Sequence, residues 1–330
     1  MTSLQQMLAE RPVLLADGAT GTNFFDMGLT AGDPPEFWNV DHPDRVKALH
    51  SSFVEAGADI ILTNSFGANR HRLKLHKAQD RVFELNKRAA ELAREAAEQA
   101  GRPIVVAGSI GPTGELFQPL GELTEAEAVD AFREQAEGLK AGGADVAWIE
   151  TMSAVEEMVA AAKGAIAAGL PYTVTASFDT AGRTMMGLAP SALPEIFGTL
   201  PVPPVAIGAN CGVGASDLLV SVLAMAEAAS PVPFIAKANA GIPQFRGEHI
   251  HYSGTPELMA QYARYAVDAG ARIVGGCCGT TAVHLAAMRK ALDEHSPGAR
   301  PDHSMIEAAV GPLTSRPKAD ATPRRRGRRQ

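Results

Sequence analysis

The sequence predicts one α/β domain folded as a (β/α)8 TIM barrel, and three observations carry that prediction. Eight short apolar runs recur along the chain, longer segments with helical signals separate them, and polar residues gather at one end of each run. Near-continuous apolar strands alternating with helices indicate a parallel sheet buried on both faces. Eight such units close into a barrel, with an open doubly wound sheet as the alternative. A length of 330 residues suits a single barrel with modest additions.

The runs are VLLADG at 13–18, ADIILTNSF at 58–66, IVVAGSIGP at 104–112 and VAWIET at 146–151. They continue with YTVTASF at 172–178, AIGANC at 206–211, PFIAKANAG at 233–241 and RIVGGCC at 272–278. Between them, Thr124 with Glu127 and Ser153 with Glu156 have the S/T-x-x-E pattern of a capping box, and residues 80–100 form a long alanine-rich helical stretch. The barrel is therefore expected over 1–295. Residues 296–330 are expected as a disordered tail ending in TPRRRGRRQ.

Hydrophobic content of 46% against 20% charged residues describes a globular chain with ample core. No stretch of about 18 uninterrupted apolar residues offers a membrane span, and the N-terminus lacks the apolar segment of a signal peptide. A cytoplasmic location is the expectation. The formal charge is −7, and setting aside the five arginines of the terminal run leaves −7 − 5 = −12 for the rest. An acidic body argues against nucleic acid as a partner, and the basic run reads as a solvated tail.

A barrel puts its chemistry at the C-terminal ends of the strands. There the sequence places Asp17, Asn64, Ser109, Glu150, Asp179, Asn210, Asn239 and all three cysteines, Cys211, Cys277 and Cys278. Three cysteines without a signal sequence do not make a disulfide framework. Converging on one rim, they match a zinc site with three protein ligands and one open position. Buried small hydrophobes are the structural alternative, and a redox-active Cys277–Cys278 pair is another, which leaves Cys211 unexplained.

Three thiolates give the zinc complex a formal charge of −1. That weakens it as a Lewis acid toward water and favours activation of a substrate thiol, whose thiolate is the nucleophile. Asp17 and Glu150 are carboxylates at buried strand ends that a substrate ammonium would compensate. Asp17 as a turn residue and Glu150 paired with Arg183 are the plain alternatives. The turn DGATGT at 17–22 offers backbone N–H groups to a carboxylate. An amino acid with a side-chain thiol fits all three features.

DGATGT, TNSFGANRHRL, GSIGPTGEL, WIETM, GANCG, NAGIP and GGCCGTT occur in an order and spacing that resembles the zinc-dependent homocysteine S-methyltransferases, up to about residue 292. That family includes betaine-homocysteine methyltransferase, the enzymes using S-methylmethionine and the homocysteine module of cobalamin-dependent methionine synthase. The resemblance implies zinc on Cys211, Cys277 and Cys278, with Asn239 as the fourth ligand when substrate is absent. It also implies homocysteine held by Asp17 and Glu150 at its amino group and by the Gly18 and Ala19 backbone at its carboxylate, with Asn210 in the substrate site.

The implied reaction is methylation of homocysteine to methionine, the donor being betaine or another small onium compound. The alternative donor is methylcobalamin carried by a separate methylcorrinoid protein, as in a split methionine synthase. A quaternary ammonium is held by aromatic rings, yet two cage tyrosines of the vertebrate-type betaine enzymes are replaced here by Gly67 and Thr151. Phe66, Trp38, Trp148 and Phe178 are the candidate substitutes in a chain with 5% aromatic residues. A non-catalytic zinc-binding scaffold docking through its Arg-rich tail is the reading from another class.

Overall fold

The computed structural model describes residues 3–314, apart from 229, 247 and 248. Each of the eight apolar runs contributes a strand: β1 Leu14–Leu15, β2 Ile60–Leu62, β3 Val105–Ile110, β4 Val146–Met152, β5 Tyr172–Ala176, β6 Ala206–Cys211 and β7 Phe234–Ala238. An unanticipated antiparallel hairpin, β8 Pro243–Arg246 and β9 His249–Tyr252, precedes the last, β10 Ala271–Gly276. The eight-stranded sheet is parallel, with order β1-β10-β7-β6-β5-β4-β3-β2. A parallel bridge between Ala16 and Ile60 joins its two ends, so the barrel alternative holds over the open sheet.

Period-two alternation along the strands separates two cores. Leu14, Ile60, Leu62, Val105, Ala107, Val146, Trp148, Ala206, Ile235 and Ile273 fill the barrel interior, and Leu4, Met7 and Leu8 of the N-terminal helix Leu4–Glu10 close its lower end. The intervening residues, among them Ile61, Val106, Ile149, Ile207 and Val274, pack under the surrounding helices. Continuing the inward series one step toward the upper rim reaches Ser109, Glu150, Asn210 and Lys237. Each of these four is buried.

The expected capping box at Thr124 forms on helix Glu125–Ala141. The one at Ser153 does not. Strand β4 runs on to Met152 through a register shift, the next helix starts at Val155, and Ala154 is its N-cap, so Ser153 and Glu156 each stand one position too early to be the N-cap and N3 of a box. The tail expected from 296 is corrected as well. Asp302 caps a helix, His303–Val310, by accepting from Met305 N–H (2.9 Å), and Ile306 and Val310 are buried. Ser216 Oγ donates to Gly311 O (2.6 Å), and the Thr314 N–H and hydroxyl donate to Asp217. The Arg-rich run lies outside the described residues. Among the described residues no helix is long and apolar enough to cross a membrane.

Candidate active site

The three cysteines meet above β6 and β10. Their Sγ atoms lie within 4.8 Å of one another, with Cys211 and Cys278 4.0 Å apart. Alternation alone would turn Cys211 and Cys278 away from the barrel axis, and the backbone supplies the correction. Cys211 adopts φ +60° and Gly279, directly after Cys278, φ +77°. The first is uncommon for a residue with a Cβ, the kind of strain that collects at functional sites. At Gly279 a Cβ would lie 2.3 Å from Cγ of Tyr252, so only glycine lets that ring rest on the cysteine turn.

Tetrahedral zinc with Zn–S bonds of about 2.3 Å needs sulfurs about 3.8 Å apart, close to the spacing here. The donor set is all sulfur, which suits a borderline-soft ion. The neighbouring sulfurs hold the Cys278 thiol below its ordinary value, while the same sulfurs and burial push Cys211 up. A bound cation displaces the thiol protons. Among the described residues this is the group of three or more Cys, His, Asp or Glu able to hold a metal ion.

Two asparagines brace the cluster. Asn239 Nδ2 donates to Gly212 O (2.8 Å) and its Oδ1 accepts from Cys278 N–H (3.0 Å), tying the two cysteine turns together. Both ends of the amide thereby hold the two turns in place. Asn210 Oδ1 accepts from Thr151 N–H (2.8 Å) and Thr175 Oγ1 (2.7 Å). Its Nδ2 donates to Thr151 Oγ1 (2.7 Å) and lies 3.8 Å from Cys277 Sγ. It fixes Thr151, another positive-φ residue at +61°, and does not line the cavity.

The cavity beside the sulfurs measures about 480 Å³. Gly18 to Thr22, Ser109, Glu150, Thr151, Lys237, Tyr252 and the cysteines line it. Ser109 Oγ donates to Glu150 Oε1 (2.5 Å), and burial pushes the Glu150 carboxyl up to about 7 against the pull of Lys237. Arg183 is not its partner; that side chain donates to Gly187 O.

Asp17 is placed differently from the expectation. It lies beneath the cavity, where Oδ2 accepts from Leu62 N–H (2.7 Å) and Oδ1 from Lys237 Nζ (2.8 Å). Burial pushes its carboxyl up, while Lys237 and the Leu62 N–H act against that. Burial would lower the Lys237 ammonium, but Asp17 and Glu150 outweigh it and keep the group protonated. In the first turn Ala19 N–H donates to Thr280 O (3.1 Å), whereas Gly18 N–H has no protein acceptor among the described residues.

Of the four aromatic candidates only Phe66 lines the cavity. Trp148 is in the barrel interior, Phe178 in the outer core, and Trp38 packs on Phe24 (centroids 5.0 Å apart) under the Arg45 guanidinium. Phe25 and Tyr252 line it as well, and the sequence reading passed over both. Phe66 is 39% exposed, and Phe25 is 52% exposed. Phe66 is seated on Gly111, where a Cβ would meet its ring at 2.6 Å. Glu36, also on the wall and buried, accepts from Gly67 N–H (2.6 Å). Lys237 was missed as well, although a lysine inside the apolar run PFIAKANAG is itself a signal.

Methionine synthase of Mycobacterium leprae is 30% identical over 94% of the chain, and that of Mycobacterium tuberculosis 31% over 86%. The chain spans about a quarter of their length, 27% and 25% respectively. The crystal structure of the homocysteine methyltransferase MmuM from Escherichia coli, metallated form, superposes with a TM-score of 0.72 at 24% identity, covering 87% of this chain and 99% of that one. Its oxidised form gives 0.71 at 25% identity, covering 88% and 99%. The profile of the family described as homocysteine S-methyltransferase matches residues 14–292, most of the chain and every barrel strand, so this protein belongs to the homocysteine S-methyltransferase family.

Proposed function

We propose that the protein is a zinc-dependent homocysteine S-methyltransferase, acting in the reducing cytoplasm and forming methionine. The observation that carries this reading is the three-sulfur cluster opening on a cavity whose floor presents Glu150. Zinc held by Cys211, Cys277 and Cys278 supplies the charge that keeps a substrate thiol deprotonated at neutral pH. The chain's own residues do the rest. Glu150, oriented by Ser109, receives the substrate ammonium, and the Gly18 turn receives its carboxylate. The sulfur then faces the open mouth, where it attacks the donor methyl in line; the new S–C bond forms as the bond between methyl and donor breaks, and the electron pair leaves with the donor. Orientation and exclusion of water provide the acceleration.

For the donor, a small onium compound such as betaine fits Phe25 and Phe66, which face the cavity beside the Glu36 carboxylate. A methylcorrinoid protein is the second reading. It is favoured by Gly67 and Thr151 at the two cage positions and by relatives in which this length is a quarter of a methionine synthase. The test is zinc-loaded protein with homocysteine and, separately, betaine, S-methylmethionine or a methylcorrinoid protein, assayed for methionine. Turnover with one donor class is expected. Absence of methionine with all three contradicts the enzyme reading.

A further inference from the structure

We infer that Lys237 is a positioning residue that maintains Glu150 as the anion that meets the substrate ammonium. The inference rests on the homocysteine reading above. Lys237 is fully buried, lies on the cavity wall where Asp17 does not, and makes a 2.8 Å ion pair with Asp17. The groups that face Glu150 are Lys237 from β7, Asp17 from the turn after β1, Cys277 from the turn after β10 and the Ser109 hydroxyl from β3. Lys237 is the cation among them, with its ammonium 5.7 Å from the Trp148 ring centroid.

Charge counting gives the consequence. Asp17 and Lys237 cancel, which leaves Glu150 with one negative charge to match one ammonium. Without the lysine, two buried carboxylates would sit beside an anionic sulfur cluster, and one of them would take a proton. That proton would fall on the cavity-facing Glu150, which has no backbone N–H donor comparable with that of Leu62 on Asp17. The structure therefore assigns Lys237 to recognition of the amine, through Glu150, and not to the carboxylate or the thiol.

Titration calorimetry on the zinc-loaded protein tests this with L-homocysteine and 4-mercaptobutyrate, the same thiol acid without the amine. Their Kd ratio isolates the amine and needs no methyl donor. In the unaltered protein the preference for homocysteine should hold at pH 7.5 and decline as pH falls through about 7, where Glu150 takes up its proton. Lys237→Gln keeps a hydrogen-bond donor for Asp17 but loses the charge, and should cut the ratio at pH 7.5 by about threefold, because a one-unit rise from about 7 lowers the ionised share of Glu150 from about three quarters to about one quarter. Lys237→Arg should stay near the unaltered ratio.

Equal weakening of both thiols in Lys237→Gln would mean that the lysine binds the carboxylate, and an unchanged ratio would mean that it only fills space; either overturns the inference. Should Lys237→Gln not fold, Lys237→Arg still decides, because it keeps the charge: loss of the preference for homocysteine in that variant, with 4-mercaptobutyrate bound as before, contradicts a role carried by the charge. Failure of the unaltered protein to bind homocysteine at all refutes the functional reading instead.

Discussion

Thr151 and Cys211 show what single residues contribute. Both hold a positive φ that costs of order 1–3 kcal/mol, and both are bound to the same part of the site by the Asn210 amide or by the sulfur cluster. His50 carries a different kind of cost. It is buried in helix Pro43–Glu55, neither ring nitrogen has a hydrogen-bond partner, and burial lowers it from 6.5 to about 4. Between those values the unfolded chain binds the extra proton, so the stability held above pH 6.5 is lost as pH falls toward 4. Urea unfolding at pH 7 and pH 5 should show that His50→Leu removes about 2 kcal/mol of the difference between the two. Identical differences in the two proteins would contradict the assignment.

The residues with distinctive chemistry are legible in the sequence: the adjacent cysteines, Cys211 and Glu150. Asp17 was found but its partner was not. Lys237 lies 220 positions away, and only the meeting of β1, β10 and β7 brings the two together. Tyr252 was hidden for a similar reason, because its ring is placed by the hairpin resting on Gly279.

At the scale of elements, the strands were legible because barrel strands are apolar on both faces, and five of the eight end two or three residues short of expectation where polar side chains take over. The β8–β9 hairpin was not. Its strands are only four residues each and one begins with proline, too short a pattern to stand out from a loop. The two capping patterns diverged because a box depends on where the preceding strand lets go, which the S/T-x-x-E spacing does not encode. Thr124→Ala should therefore cost about 1 kcal/mol of unfolding free energy, and Ser153→Ala less than about 0.5 kcal/mol. Denaturant titration checks both, and equal losses would contradict the distinction.

For the whole molecule, closure of the sheet through Ala16 and Ile60 brings residues separated by up to 260 positions, from Gly18 to Cys278, around one cavity. The lower half of the barrel is sealed by apolar side chains and the N-terminal helix, so the chemistry is confined to the upper rim. The C-terminal helix His303–Val310 buries Ile306 and Val310 and stays outside the chemistry. Composition showed a globular chain, but it carried no information on that helix beyond its cap at Asp302.

Everything in the functional account depends on the substrate sulfur joining the three cysteine sulfurs at one ion. Zinc-edge X-ray absorption of the zinc-loaded protein, recorded before and after addition of L-homocysteine, tests that directly. Three sulfur neighbours and a lighter fourth atom are expected before addition, and four sulfurs after it. A sulfur count that does not change on addition would contradict it.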